Sequence, residues 1–172
     1  MFLLKHISPE QAEGVMAEVY GMFPPGVPVP DPLQIMSASP GLAKCQSGII
    51  RYFMEHDTLD FAFFACLRFI LSCEIGYTYC REFNAQLLKR AGGMSDEQLE
   101  AMRVDPGTAP LDKAQRALLR FALKAVRTPA EVTAAEVEAL RDLGFNDRDI
   151  FDAAYHGASM LGPATLYKAL VR

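Results

Sequence analysis

The sequence predicts an all-α fold of about eight helices. Two observations carry this expectation. Helix-start signals recur along the chain: Ser-Pro pairs at Ser8-Pro9 and Ser39-Pro40, and capping boxes at Ser95 (SDEQ) and Thr133 (TAAE). Between them, no segment alternates apolar and polar residues with the period of two that a half-buried strand needs.

Taken in order, Ser8-Pro9 opens a helix that should run to about Met22. The run FPPGVPVPDP, from Phe23 to Pro32, reads as an extended connector, because proline removes amide donors and fixes φ. Ser39-Pro40 starts a second helix to about Glu55. Asp57 or Thr58 opens a very apolar helix that ends near Ile75-Gly76, and a further helix runs from about Thr78 to Gly92-Gly93, a glycine stop. Ser95 caps a short helix to about Arg103, DPGTAP makes a turn, and a helix spans about Leu111 to Arg127. The helix capped by Thr133 ends at Gly144. Asn146 opens the last one, which should bend or break at Gly162-Pro163.

The chain has 172 residues and 51% hydrophobic content, enough for one domain, residues 1–172, with a sizeable core. The formal net charge is −4 with no basic tract, which argues against nucleic acid as a partner, because phosphate neutralisation needs clustered Lys and Arg. The stretch from Leu59 to Cys73 is too short to span a bilayer and contains Asp60 and Arg68, so no membrane partner is expected. The N-terminal apolar run is too short for a signal peptide. A cytoplasmic protein without a disulfide framework is the expectation. No metal-ligand spacing, GxGxxG or P-loop pattern is present, so no metal or cofactor is expected.

The most informative segment is EIGYTYCREFN, Glu74 to Asn84. A cysteine pair at a helix start has defined chemistry. Helix amides lower the thiol pKa, and the neighbouring sulfur resolves an oxidised intermediate. A base one turn later lies on the same face and moves protons. Here only Cys80 supplies sulfur. Tyr77 stands where the first cysteine would be, and Asn84 where a helical histidine would face the thiol. Asn84 can hydrogen-bond a thiolate but cannot take its proton. Cys66 and Cys73 lie two turns apart, roughly 10 Å of helical rise, too far for a disulfide. Cys73 and Cys80 straddle Gly76, which leaves two readings of Cys73: a substitute resolving thiol or an ordinary buried one.

Arg68 lies within the apolar helix, where a charge demands a partner. Asp60 and Glu74 are the nearby carboxylates. The arginine belongs either to a core ion pair or to a site that orients an anion or tunes Cys80. His156 sits among small residues in FDAAYHGASMLGP, as a hydrogen-bonded core histidine or as a proton-transfer group.

Together these residues resemble the AhpD-like superfamily, which includes alkylhydroperoxidase D and the carboxymuconolactone decarboxylases. The similarity covers most of the chain. VPVPDPLQIMSASPGLAK looks like the family's lead-in, and FAFFACLRFILSCEIGYTYCREFN looks like its apolar helix, break and CxxC-xxx-H helix. The segment from Gly92 to Ala154 is similar to the peroxidase-related branch, and HGASMLGPATLYKAL looks more like the decarboxylase branch. The resemblance implies an all-helical homo-oligomer, a trimer or hexamer or else a dimer. It also implies reduction of hydroperoxides by a cysteine pair with a histidine and a glutamate relaying protons. By position the peroxidatic cysteine is Cys80, the first cysteine falls on Tyr77, the histidine on Asn84 and the glutamate on Ala65.

Three functions follow. The leading one is a peroxidase-related oxidoreductase that acts on a small hydroperoxide through Cys80, within a polar wall of Tyr77, Tyr79 and Asn84. Glu74, Arg68 or His156 would then replace the missing proton groups. The alternative is a catalytically silent helical oligomer that holds a small apolar molecule or a protein partner in the same cavity. Acid–base lactone chemistry at His156 with Arg68 as cationic anchor ranks third.

Overall fold

The computed structural model describes residues 1–23 and 27–172. Ten α-helices form among them: α1 (Gly14–Tyr20), α2 (Asp31–Ile35), α3 (Pro40–Met54), α4 (Phe61–Glu74), α5 (Thr78–Gly92), α6 (Asp96–Val104), α7 (Lys113–Arg127), α8 (Ala134–Asp142), α9 (Asp147–Ser159) and α10 (Leu161–Leu170). No strand forms among the described residues beyond one isolated bridge between Phe2 and Val171. The architecture is all-α.

The helix starts follow local capping chemistry. Ser95, Thr133 and Asn146 each make a reciprocal capping box, with Gln98, Glu136 and Asp149 as the returning side chains. Gly93 closes α5 with φ +65°, a backbone state that suits glycine.

Several expected boundaries move. The helix expected from Ser8 to Met22 is instead a single 3-10 turn, Pro9–Gln11, followed by α1. Ala12 and Glu13 are extended and Gly14 has φ +52°, so the 3-10 turn does not run on into α1. The Pro-rich connector is shorter than expected, because Asp31 and Pro32 begin α2; a proline is tolerated there since the first amides of a helix have no intrahelical acceptor. Its residues 24–26 lie outside the described residues. The apolar helix opens at Asp60, not at Asp57 or Thr58. The Asp60 carboxylate accepts from the Phe63 amide at 2.9 Å, so this charge caps α4 rather than lying inside it. The last break falls at Met160, and Gly162-Pro163 lies in the first turn of α10.

The chain divides into two compact units, Met1–His56 with Thr165–Arg172, and Asp57–Ala164. In the first, Met16, Val19, Tyr20, Leu33 and Ala43 form the core, and the Tyr20 hydroxyl donates to the Ile7 carbonyl at 2.8 Å.

The second unit holds the functional residues. Helix α4 lies at its centre, against α5, α6, α7 and α9. Its Phe63, Phe64, Leu67, Ile70 and Leu71 are buried with Leu118, Leu119 and Leu123 of α7. A helix apolar on nearly all sides is stable only where neighbours surround it. Gly157 lets α9 approach closely: a Cβ there would stand 3.1 Å from Val126 and 3.3 Å from Leu71. That approach brings the preceding residue, His156, to α4.

Candidate functional site

The turn between α4 and α5 builds the site. Gly76 takes φ +63° and reverses the chain, which makes buried Tyr77 the residue that precedes α5. Cys80 then falls in the first turn of α5, and Asn84 stands one turn later on the same face. The Asn84 amide nitrogen donates to the Cys80 carbonyl at 2.8 Å and to the Cys80 sulfur at 3.2 Å. Its amide oxygen accepts from Arg68 Nε at 2.8 Å. A fully buried asparagine thus joins a guanidinium to a thiol.

Arg68 reaches this point from α4. Phe61, Phe64, Arg68 and Ser72 share one face of that helix, at spacings of three and four residues. The Ser72 hydroxyl donates to the Arg68 carbonyl and also adjoins the Cys80 thiol. The Phe61 ring lies against the guanidinium, 5.8 Å from its carbon to the ring centroid. Arg68 Nη1 stands 3.2 Å from His156 Nε2. Arginine has no acceptor, so Nε2 must carry the lone pair and the imidazole proton sits on Nδ1. The histidine is therefore neutral. Burial, and then the charge of Arg68, hold its pKa well below 6.5. Its ring tilts against Phe64 at 4.6 Å.

Arg68, Cys80 and His156 are hemmed in by protein yet keep part of their surface accessible. Burial pushes the Cys80 thiol up from its ordinary value. The charge of Arg68 and the hydrogen bonds of Ser72 and Asn84 pull the other way without cancelling it. Cys66 is pushed up to about 12 by burial in the core, with Asp60 adding to the effect. The thiol of Cys73 is also raised by burial; the charges acting on it are those of Arg81, Arg103, Glu100 and Glu74. All four cysteines are free.

The other expected site residues divide. Glu74 turns to Arg127, whose Nε donates to it at 3.0 Å and whose Nη2 makes a second, closer contact. Tyr79 stacks on Phe83 with ring centroids 6.2 Å apart. Arg68 pairs with neither Asp60 nor Glu74, because Asp60 caps α4 and Glu74 holds Arg127. The sequence reading overlooked Ser72, Phe61 and Phe64. Their shared helical face with Arg68 was the available signal. Among the described residues no group of three or more His, Cys, Asp or Glu is placed to hold a metal, and no helix is long and apolar enough to cross a membrane.

No family model matches the chain, and no curated protein does. Solved structures do. A peroxidase-related protein from Silicibacter sp. TM1040 superposes with a TM-score of 0.78 at 24% identity, over 98% of this chain and 89% of that one. An alkylhydroperoxidase AhpD core, a peroxidase-related protein from Ralstonia eutropha JMP134, superposes with a TM-score of 0.75 at 22% identity, over 91% of this chain and 82% of that one. Likeness at these identities speaks for the fold, and it extends over nearly the whole length of both chains. The chain has the all-α AhpD-like fold of these peroxidase-related proteins.

Proposed function

We propose that the protein is a peroxidase-related thiol oxidoreductase whose reacting group is the Cys80 sulfur. The observation that supports this most directly is the chain of bonds from Arg68 through Asn84 to Cys80. Arg68 Nε donates to the Asn84 oxygen at 2.8 Å, and the Asn84 nitrogen donates to the sulfur at 3.2 Å. Both the cation and the amide favour thiolate over thiol. In the reaction, the thiolate attacks the distal oxygen of a small hydroperoxide. The O–O bond breaks, the sulfur is oxidised to sulfenic acid, and the leaving alkoxide takes a proton from water to give an alcohol. A thiol from solution then condenses with the sulfenic acid to give a mixed disulfide and water. A second thiol releases Cys80 in the reduced form.

In this scheme His156 is a neutral acceptor that orients Arg68, since its Nε2 lone pair faces the guanidinium. Tyr77 and Tyr79 flank the thiol in sequence, and Glu74 is a positioning group for Arg127. A homo-oligomer belongs to the proposal. Phe151 and Tyr155, stacked and exposed on α9, supply apolar surface for it.

The test is peroxide consumption with cumene hydroperoxide and dithiothreitol. Cys45 is exposed, so Cys45→Ser is the reference. The double variant with Cys80→Ser removes the reacting sulfur and should lose at least about tenfold of the rate. Equal rates overturn the proposal.

A second reading has its own support. Burial raises the Cys80 thiol, which suits a catalytically silent pocket for a small apolar molecule or a protein partner. Cys80 alkylation as slow as that of an unperturbed thiol, with no peroxide turnover, favours it.

A further inference from the structure

Among the described residues no carboxylate pairs with Arg68. The Asp60 carboxylate caps α4 at the Phe63 amide and that of Glu74 holds Arg127. The acidic groups whose charge acts on Arg68 are the thiols of Cys80 and Cys66. Burial pushes the Cys66 pKa up to about 12, and it raises that of Cys80 as well, so both favour the neutral thiol. Among the described residues the guanidinium bonds to neutral acceptors, the Asn84 oxygen and His156 Nε2. A guanidinium has five N–H donors. Two are committed to these acceptors, and three are left. A cation held this deep without a counter-ion is unfavourable unless something supplies the negative charge.

The surroundings say what the supplier looks like. Phe61 covers one side of the guanidinium and is 49% exposed, and Arg68 itself keeps part of its surface accessible. Phe64, tilted against His156, continues the apolar wall inward. A planar fork of donors beside aromatic rings fits a carboxylate with an apolar body.

We propose that Arg68 is the receptor for a small organic carboxylate, which docks on its uncommitted N–H groups beside the Cys80 thiol. A bound carboxylate neutralises the charge that favours the Cys80 thiolate. Occupancy of this site and reactivity of Cys80 are therefore antagonistic. The inference stands apart from peroxide chemistry, because it needs the Cys80 environment and not its turnover.

The probe is sodium benzoate, with benzyl alcohol as the neutral counterpart, at constant ionic strength set by sodium chloride. Alkylation of Cys80 by iodoacetamide is followed on its own peptide by mass spectrometry. Benzoate should slow it saturably, by roughly three- to tenfold, the change that up to one pKa unit produces in the thiolate fraction. Benzyl alcohol should leave the rate unchanged. The effect should weaken in Arg68→Lys, which keeps the charge without the fork, and vanish in Arg68→Gln. No slowing by benzoate, equal slowing by benzyl alcohol, or undiminished slowing in Arg68→Gln overturns the proposal. Should Arg68→Gln not fold, Cys80→Ser decides. Its thermal midpoint must rise with benzoate and not with benzyl alcohol, and no rise overturns the proposal. That last readout does not use the Cys80 thiol, so it separates failure of the anion site from failure of the peroxidase reading.

Discussion

The two faces of α4 treat the same chemistry in opposite ways. One face carries Phe63, Cys66, Leu67 and Ile70, all sealed in apolar core. The other carries Phe61, Phe64, Arg68 and Ser72 and looks onto Cys80. Both faces confront a buried thiol. On the sealed face nothing polar stabilises the thiolate of Cys66 except a distant arginine, and the pKa goes to about 12. On the polar face burial still raises Cys80, but a guanidinium, a hydroxyl and an amide oppose it. Burial alone makes a cysteine inert, and what distinguishes a reactive one is the set of donors aimed at its sulfur. The sealed face should therefore govern stability and the polar face reactivity and its pH dependence.

The largest effect that sharpens this contrast is expected on the sealed side. Phe63→Ala should cost about 3–5 kcal/mol of unfolding free energy, since its ring is fully buried and the cavity cannot collapse among Leu and Phe neighbours. Urea denaturation measures it. A loss under about 1 kcal/mol would mean that this face is not the stabilising one.

Next in size is an acid limb that originates on the polar side. The folded state depresses the pKa of His156, so the unfolded chain binds the proton first as pH falls. The contribution of the neutral imidazole is complete above about pH 6.5 and is lost as pH falls below it, by at most about 1.4 kcal/mol per pH unit. His156→Gln should flatten that limb in denaturation curves taken from pH 7 to pH 5. An unchanged slope would place the histidine in a solvated setting and remove it from the Arg68 cluster.

The third concerns the link itself and is of similar size. Asn84→Leu leaves Arg68 Nε without its acceptor and the Cys80 sulfur without its donor. It should cost about 1–3 kcal/mol. It should also slow Cys80 alkylation relative to wild type while leaving Cys66 as unreactive as before. Faster alkylation of Cys80 would reverse the role assigned to the amide.

Much of the fold was legible because helix starts are local events. Ser95, Thr133 and Asn146 cap where they do through bonds to amides three residues away, and those bonds need nothing from the rest of the chain. The start of α4 was misplaced because Asp57, Thr58 and Asp60 are all competent caps. The choice among them depends on which one lets Phe63 and Phe64 enter the core. The N-terminal segment misled for a similar reason: Ser8-Pro9 is a sound start signal, but one 3-10 turn satisfies it.

The site was legible in part. Cys80 and Asn84 are one turn apart on one helix, so their contact follows from spacing. Arg68 was conspicuous as a charge in an apolar helix, yet its partners were not. Glu74 looked available and is held by Arg127, 53 residues away in sequence.

The sequence by itself therefore determined most of the helices, the caps at Ser95, Thr133 and Asn146 and the pairing of Cys80 with Asn84, because each depends on residues within about one helical turn. Only the tertiary structure decided that Arg68 would face neutral acceptors instead of a carboxylate. That outcome depends on α4, α5 and α9 meeting, with His156 lying 88 residues from Arg68 and admitted by the missing side chain of Gly157. Such a contact is set by how close three helices pack, and no local pattern encodes that distance.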